Sequence, residues 1–340
     1  MKKARQFFFI LLFNIAAIIG ILYGFEFLFS PYRRLPQNGI FNGKQYTWGH
    51  LVENNRYGFR ERDFETPKPP GVFRIMVLGD SFTWGEGLAI EERYTNIAEQ
   101  MLNKATRGTH FEVLNFGVRG ASTEQARRLL RNYLKVVQPD LIVVGFGLND
   151  TQVKEMDYSV EKNQLDERGG KYVRKFAYKL YQIGLPFIAK RLTGAFYGQF
   201  ERRGVIPSWE TALGRTYDPT SEEWNAFLHA LAAIKQMSDS NKLPEPIFAV
   251  LNQGASATQP TDYGNPDTIL RQYLKWYHQA EQAAREAGYL VYNHEKEITE
   301  QLNNQPLTIN FIDAHPSANL NRIYGEKLFL TIFDSLELNP

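Results

Sequence analysis

The first pattern along the chain is an apolar run from Phe7 to Phe25, broken only by Asn14 among strongly polar residues. At about 1.5 Å per residue in a helix, it reaches across most of a hydrocarbon core about 30 Å thick. Its apolar residues cover every face, so the run predicts a membrane-spanning helix and not a helix buried in a globular core. Lys2, Lys3 and Arg5 precede it and favour a cytoplasmic amino terminus, a bias that Arg33 and Arg34 beyond the run reduce. A cleaved signal peptide has a shorter core and exits through small residues, whereas this run leaves through Phe25-Glu26-Phe27-Leu28-Phe29. Residues 1–30 are therefore expected to form an uncleaved single-pass anchor. The rest of the chain is expected on the extracytoplasmic side, periplasmic or at the cell surface.

Between Ser30 and Gly71 the chain has no sustained period and is punctuated by Pro31, Pro36, Pro67, Pro69 and Pro70, so residues 31–71 read as a linker. From Val72 onward, short apolar runs alternate with longer stretches of helical period. The strand candidates run from Arg74 to Leu78, Phe111 to Phe116, Leu141 to Phe146, Ile247 to Leu251 and Tyr289 to Tyr292. Helical stretches run from Glu91 to Asn103, Thr123 to Lys135, Ser221 to Ser240 and Thr268 to Ala287, with a last one from Ser317 to about Leu336. This alternation predicts right-handed crossovers and a five-stranded parallel sheet covered on both faces, a three-layer α/β/α sandwich over residues 72–340. One interval breaks the rhythm, because the third and fourth strands lie much farther apart than a crossover needs. Residues 151–216 are expected to be a helical insertion at the carboxyl end of the third strand, where lids and substrate walls are built.

Composition narrows the function classes. The 340 residues are 43% hydrophobic and 22% charged, a globular balance. A net charge of +2 gives no basis for a nucleic-acid partner. The absence of cysteine excludes disulfides, thiolate nucleophiles and thiolate metal sites. There is no His-Glu-x-x-His, no phosphate-binding loop of the Walker type and no Gly-x-Gly-x-x-Gly, and Gly145-Phe146-Gly147 passes directly into Leu-Asn-Asp. No cofactor and no metal are expected.

Candidate chemistry collects at the ends of the predicted strands. Gly79-Asp80-Ser81 follows the first, Asn115-Phe116-Gly117-Val118-Arg119-Gly120 the second and Gly147-Leu148-Asn149-Asp150 the third; Asp313-Ala314-His315-Pro316 precedes the last helix. Parallel α/β sheets bind ligands at the carboxyl ends of their strands, and all four segments fall on that rim. A serine hydroxyl is a weak nucleophile near neutral pH and needs a base, and the imidazole of His315 has a suitable pKa. Asp313 stands two residues before it and is a candidate to orient the ring. Taken singly, Ser81 also reads as a helix cap, and Gly117 and Asn149 as turn residues.

The four blocks, in this order on these elements, resemble the SGNH (GDSL-type) hydrolase superfamily, over roughly Val72 to Leu336 apart from the insertion. The resemblance implies a flavodoxin-like sandwich and a serine ester hydrolase. Its catalytic residues would be Ser81, His315 and Asp313. The oxyanion donors would be the Ser81 and Gly117 backbone amides and the Asn149 side chain. One departure stands out: the family commonly spaces the last two residues Asp-x-x-His, and here only one residue separates Asp313 from His315. The pentapeptide Gly79-Asp80-Ser81-Phe82-Thr83 lacks the second glycine of the Gly-x-Ser-x-Gly elbow. Of the six histidines, His294 after the fifth strand is the one rival to His315 as base.

Two further signals bear on partners. Between Arg168 and Phe200 the insertion carries Lys and Arg but no Asp or Glu, together with many aromatics. That stretch suits anionic headgroups, an acidic glycan, or a solvated lid. Phe82, Trp84 and Tyr94 near the rim suit sugar rings or simple packing. The expected function is removal of acetyl or another short acyl group from a cell-envelope glycan, with the membrane engaged through the amino-terminal helix. Two alternatives stand beside it: an O-acyltransferase using the same residues, and a noncatalytic glycan-binding or assembly module.

Overall fold

The computed structural model describes residues 2–30, 35–152, 169–207, 209–252, 266–301, 307–310 and 313–338. Arg33, Arg34 and Arg168, used above as charge markers, lie outside the described residues.

In chain order the elements begin with α1 (Lys2–Phe29), β1 (Gly39–Phe41), β2 (Lys44–Thr47), β3 (His50–Leu51), β4 (Val72–Gly79) and α2 (Ser81–Trp84). There follow α3 (Tyr94–Ala105), β5 (His110–Gly117), α4 (Thr123–Val137), β6 (Leu141–Phe146), α5 (Gly170–Gln182), α6 (Pro186–Arg202) and α7 (Trp209–Thr216). The chain closes with α8 (Glu222–Ser240), β7 (Ile247–Val250), α9 (Pro266–Glu286), β8 (Leu290–Tyr292), α10 (Glu295–Gln301), β9 (Thr308–Asn310), β10 (Asp313–Pro316) and α11 (Ala318–Ser335). Contacts divide it into two units, Met1–Pro36 with Asp157–Thr211, and Gln37–Met156 with Ala212–Pro340.

The larger unit is built on a parallel five-stranded sheet in the order β5-β4-β6-β7-β8. It is the expected sandwich. Alternate residues of each strand point to opposite faces. Met76 and Leu78 of β4 join Ala126 and Leu130 of α4, Phe227 and Leu231 of α8 and Ala280 of α9 in one layer. Ile75 and Val77 join Ala98 and Leu102 of α3 and Leu320 and Leu328 of α11 in the other. The chain reverses direction across the sheet at β4, which has β5 on one side and β6 on the other; that crevice is where such folds hold ligands.

Glycine sets how closely the first turn after β4 can settle. Gly79 stands between Gly117 and Gly145 in the ladder, a row of three across the sheet. A Cβ on Gly117 would come within 2.3 Å of the Trp84 backbone nitrogen, and one on Gly79 within 2.1 Å of Thr83 Oγ1. The row lets the short helix α2 fold back onto the strand ends.

Residues 37–71 differ from the expected linker. They pair as an antiparallel three-stranded sheet β1-β2-β3 and then enter the core, where the Phe59 ring lies 4.4 Å from Phe116 and 5.2 Å from Tyr133. The buried Arg60 guanidinium donates to the carbonyls of Gly85 at 2.7 Å and Leu88 at 2.6 Å, and Arg93 pairs with Glu61 at 3.1 Å. Two buried arginines committed to this segment make it part of the domain.

In the smaller unit, α1 contains one stretch, Arg5–Phe29, long and apolar enough to cross a membrane, and its large apolar side chains from Phe7 to Phe13 are all exposed. Helices α5 and α6 form an antiparallel pair closed by Ala177, Leu180, Leu185 and Ala189, with Leu22 of α1 packed against them.

Candidate active site

Ser81 opens α2 directly beyond β4, but it is not the helix cap. Asp80 takes that role, its carboxylate accepting the Phe82 N–H at 2.9 Å. The Ser81 hydroxyl is left to face His315, with 2.9 Å between Oγ and Nε2. On the other side of the ring, Nδ1 lies 2.6 Å from Asp313 Oδ1. The short Asp-x-His spacing closes because the same carboxylate oxygen also accepts the His315 backbone N–H at 3.0 Å, which turns the carboxylate back onto its neighbour. The antiparallel ladder of β9 and β10 carries both residues to the rim.

The second oxygen of Asp313 accepts a hydrogen bond from Trp48 Nε1 at 2.6 Å. No sequence signal pointed to Trp48, 265 positions away. It lies in the two-residue turn between β2 and β3, with φ of 44° at Trp48 and 96° at Gly49. A bulky residue in the left-handed region costs on the order of 1–2 kcal/mol, and such strain gathers at functional sites. Here the turn delivers an indole N–H to the carboxylate. Trp48→Phe keeps the ring and removes the donor, and is expected to lower kcat about tenfold with little change in KM, as steady-state kinetics on an aryl ester would report.

The neighbouring groups bind this turn to the rim. Thr47 Oγ1 donates to Glu86 Oε1 at 2.8 Å and accepts the Gly87 N–H at 2.7 Å. Arg119 holds the same carboxylate, 2.9 Å from Nη2 to Oε1, and its guanidinium stacks 3.7 Å from the Trp84 ring centre.

Burial alone pushes the Asp313 carboxyl upward. The hydrogen bond and charge of His315, its backbone N–H and the Trp48 indole outweigh burial and bring Asp313 down to about 2. Burial likewise pushes His315 downward, but Asp313, with Glu86 and Asp80 behind it, raises its pKa above the ordinary 6.5. Only neutral imidazole accepts a proton, so kcat/KM is expected to fall with acid through a midpoint above 6.5. Asp313→Asn should move that midpoint down, which a pH–rate profile of both proteins measures. The stability contributed by the raised imidazole runs the other way: present below the unfolded value, and lost as pH climbs through the folded one.

His294, the rival base, is fully buried, with its ring centre 4.5 Å from Tyr324. Burial, then the charge of Lys327, lowers its pKa to about 3. Among the described residues neither ring nitrogen has a hydrogen-bond partner, so it is a neutral core side chain.

Gly117 departs from its expected role. Its backbone N–H already donates to Asn115 Oδ1 at 2.9 Å, within a buried side chain that also ties Thr83 and Thr95. Three residues on, Gly120 is exposed with φ of 70°, and its N–H has no acceptor among the described residues. Asn149 sits on the turn Leu148–Thr151 next to Gly147, near the Asp80 carboxyl, whose Oδ2 has no hydrogen-bond partner among the described residues. Burial raises Asp80 and, with the charge of Asp80 added, lifts Asp150 well above the usual carboxylate range. Among the described residues no cluster of His, Asp and Glu is suited to a metal ion.

A parallel α/β sandwich with a serine, an imidazole and a carboxylate in line at its strand ends has the layout of a serine hydrolase. The profile of the GDSL-like Lipase/Acylhydrolase family matches residues 77–323, and the chain belongs to that family. It is a hydrolase of ester bonds, of the SGNH type. Among solved structures it is similar to TesA, at 12% identity and a TM-score of 0.43, covering 76% of this chain and 97% of that one. It is also similar to Axe2, an acetylxylan esterase from Geobacillus stearothermophilus, at 14% identity and a TM-score of 0.41, covering 76% and 94%. A third is LAE5, an alpha/beta hydrolase from the metagenome of Lake Arreo, Spain, at 12% and 0.43, covering 76% and 94%. No curated protein matches the chain.

Proposed function

We propose that the chain is a membrane-anchored serine esterase that removes acetyl or another short acyl group from a cell-envelope glycan, with Ser81, His315 and Asp313 as its triad. The observation that carries the chemistry is the unbroken line from Ser81 Oγ to His315 Nε2 at 2.9 Å and from Nδ1 to Asp313 at 2.6 Å. His315 takes the hydroxyl proton as Ser81 attacks the ester carbonyl, then returns it to the departing alcohol. Water repeats the cycle on the acyl-enzyme and releases the acid. Asp313 stays ionised throughout, fixes the tautomer and stabilises the imidazolium.

Negative charge developing on the carbonyl oxygen needs donors already in place, each worth about 3–4 kcal/mol of barrier. The Ser81 N–H and the Asn149 amide take this role. From the loop Gly117–Gly120, the uncommitted amide of Gly120 is the better donor, since that of Gly117 serves Asn115. The apolar helix α1, with Lys2, Lys3 and Arg5 at its amino-terminal end, supports an extracytoplasmic domain and hence an envelope substrate. The exposed Arg119 guanidinium, backed by the buried Trp84 ring, offers hydrogen-bond donors that suit the hydroxyls of a sugar.

The test compares the full chain in detergent with Ser81→Ala on aryl acetates, longer aryl esters and acetylated oligosaccharides. Hydrolysis that falls with acyl length and vanishes in Ser81→Ala is the expected result. Preference for long acyl chains would remove the short-acyl reading. Transfer of acetyl to an added oligosaccharide, in place of free-acid release, would make the protein an acyltransferase.

A further inference from the structure

The helix pair α5–α6 is tied to the last turns of α1. Tyr23 donates its hydroxyl to the Ile183 carbonyl at 2.7 Å, and the Glu26 carboxylate accepts the backbone N–H groups of Phe187 at 3.0 Å and Ile188 at 3.1 Å. Glu26 thereby caps the amino terminus of α6, where a carboxylate is favoured by the orphan amides. The Phe25 and Phe187 rings stack at 6.0 Å. A carboxylate is costly in hydrocarbon, so if α1 spans, the turns bearing Tyr23 and Glu26 sit where the bilayer meets water. The helix pair is held at that depth.

The outer face of α5 matches that position. Lys171, Lys175 and Lys179 follow one another at i, i+4 and i+8, all exposed. Beside them runs a second row, Tyr172 at 73% exposure, Phe176 at 56% and Ile183 at 55% just beyond the helix. The opposite face, Ala177 and Leu180, is already closed against α6 and α1. No Asp or Glu occurs between Gly169 and Gln199 to balance the lysines. Adjoining rows of lysine and aromatic side chains, with no acid on the helix pair up to Gln199, are the pattern of a helix lying in a headgroup layer.

We infer that the α5–α6 pair lies in the interface of the same bilayer that α1 crosses, with Tyr172, Phe176 and Ile183 in the acyl boundary and Lys171, Lys175 and Lys179 on anionic phosphate headgroups. The inference rests on α1 as a span and is independent of the esterase chemistry. Charge complementarity and continuity with α1 select an anionic lipid surface over a protein partner.

The chain has no cysteine, so single cysteines report cleanly. Full-length Phe176→Cys and Ile18→Cys, each carrying an environment-sensitive fluorophore, are reconstituted into vesicles of phosphatidylcholine alone or with added phosphatidylglycerol. Quenching is measured with nitroxide-labelled lipid and with aqueous iodide. The label at 176 is expected to meet the lipid quencher, more strongly when phosphatidylglycerol is present. Replacing Lys171, Lys175 and Lys179 with Gln should weaken that partition by about fivefold per lysine. A label at 176 reached by iodide and not by lipid, while 18 reports lipid, overturns the inference and leaves the span standing. Water exposure at both positions overturns the two together, and lipid contact at 176 that ignores phosphatidylglycerol and the Gln substitutions removes the headgroup recognition.

Discussion

His315→Ala is expected to lower kcat/KM by about four orders of magnitude, whereas His294→Leu should leave it within a few-fold of the parent protein. The contrast follows from geometry. Among the described residues His315 alone has one ring nitrogen against the Ser81 hydroxyl and the other against a carboxylate, and losing a member of the proposed triad would leave only the contribution of binding and oxyanion donors. His294 is sealed between Tyr292 and Tyr324, neutral and without reach to the serine. Its lowered pKa gives His294→Leu a separate signature. A depressed folded-state value supplies stability above the unfolded 6.5 that is lost as pH falls toward about 3, so the substitution should flatten the acid loss of stability without altering the rate profile. Stopped assays on an aryl acetate, with denaturation curves at several pH values, measure both.

The second large effect concerns folding. Glu61→Ala is expected to cost about 3–5 kcal/mol, because it strands the buried Arg93 guanidinium without its counter-charge. It also leaves the Asn115 backbone N–H, which donates to the same carboxylate at 3.1 Å, without an acceptor. Glu53→Ala, on an exposed residue of the same segment, should change stability by less than about 0.5 kcal/mol. Urea unfolding followed by tryptophan fluorescence distinguishes them. Equal, negligible effects would mean that residues 37–71 are a passive connection after all.

The parallel sheet was legible because its strands are buried on both faces and so appear as continuous apolar runs, each ending in glycine or a polar turn at the rim. The helices of the domain were legible from their period, and in the structure Ser122, Ser221 and Ser317 cap the helices that follow them. Residues 37–71 were not, since strands of two to four residues are too short to establish an alternation. One local sign was available: Asn42-Gly43 joins β1 to β2, with φ of 51° and 75°, the turn chemistry that most strongly marks a hairpin. Trp48 offered none, because its meaning lies in a contact with a residue at the other end of the chain.

At the rim, the sequence pattern put the candidate residues at the strand ends where the structure has them, but it could not tell which amide is spoken for. Both glycines of the loop Gly117–Gly120 look equivalent as letters. Gly117 is required by the approach of the Trp84 backbone, and its N–H is consumed by Asn115, so its conformation serves the fold more than the ligand. The spacing of Asp313 and His315 was ambiguous for a similar reason: one intervening residue suffices only because the carboxylate bends back to the His315 N–H.

The most direct test of the account is reaction of the full chain with a fluorophosphonate probe, followed by mass mapping of the modified peptide. Adduct on Ser81, abolished in Ser81→Ala and nearly abolished in His315→Ala, is the result expected. Adduct on another serine, or none on Ser81 in a preparation that hydrolyses esters, would contradict the assignment of Ser81 as the nucleophile.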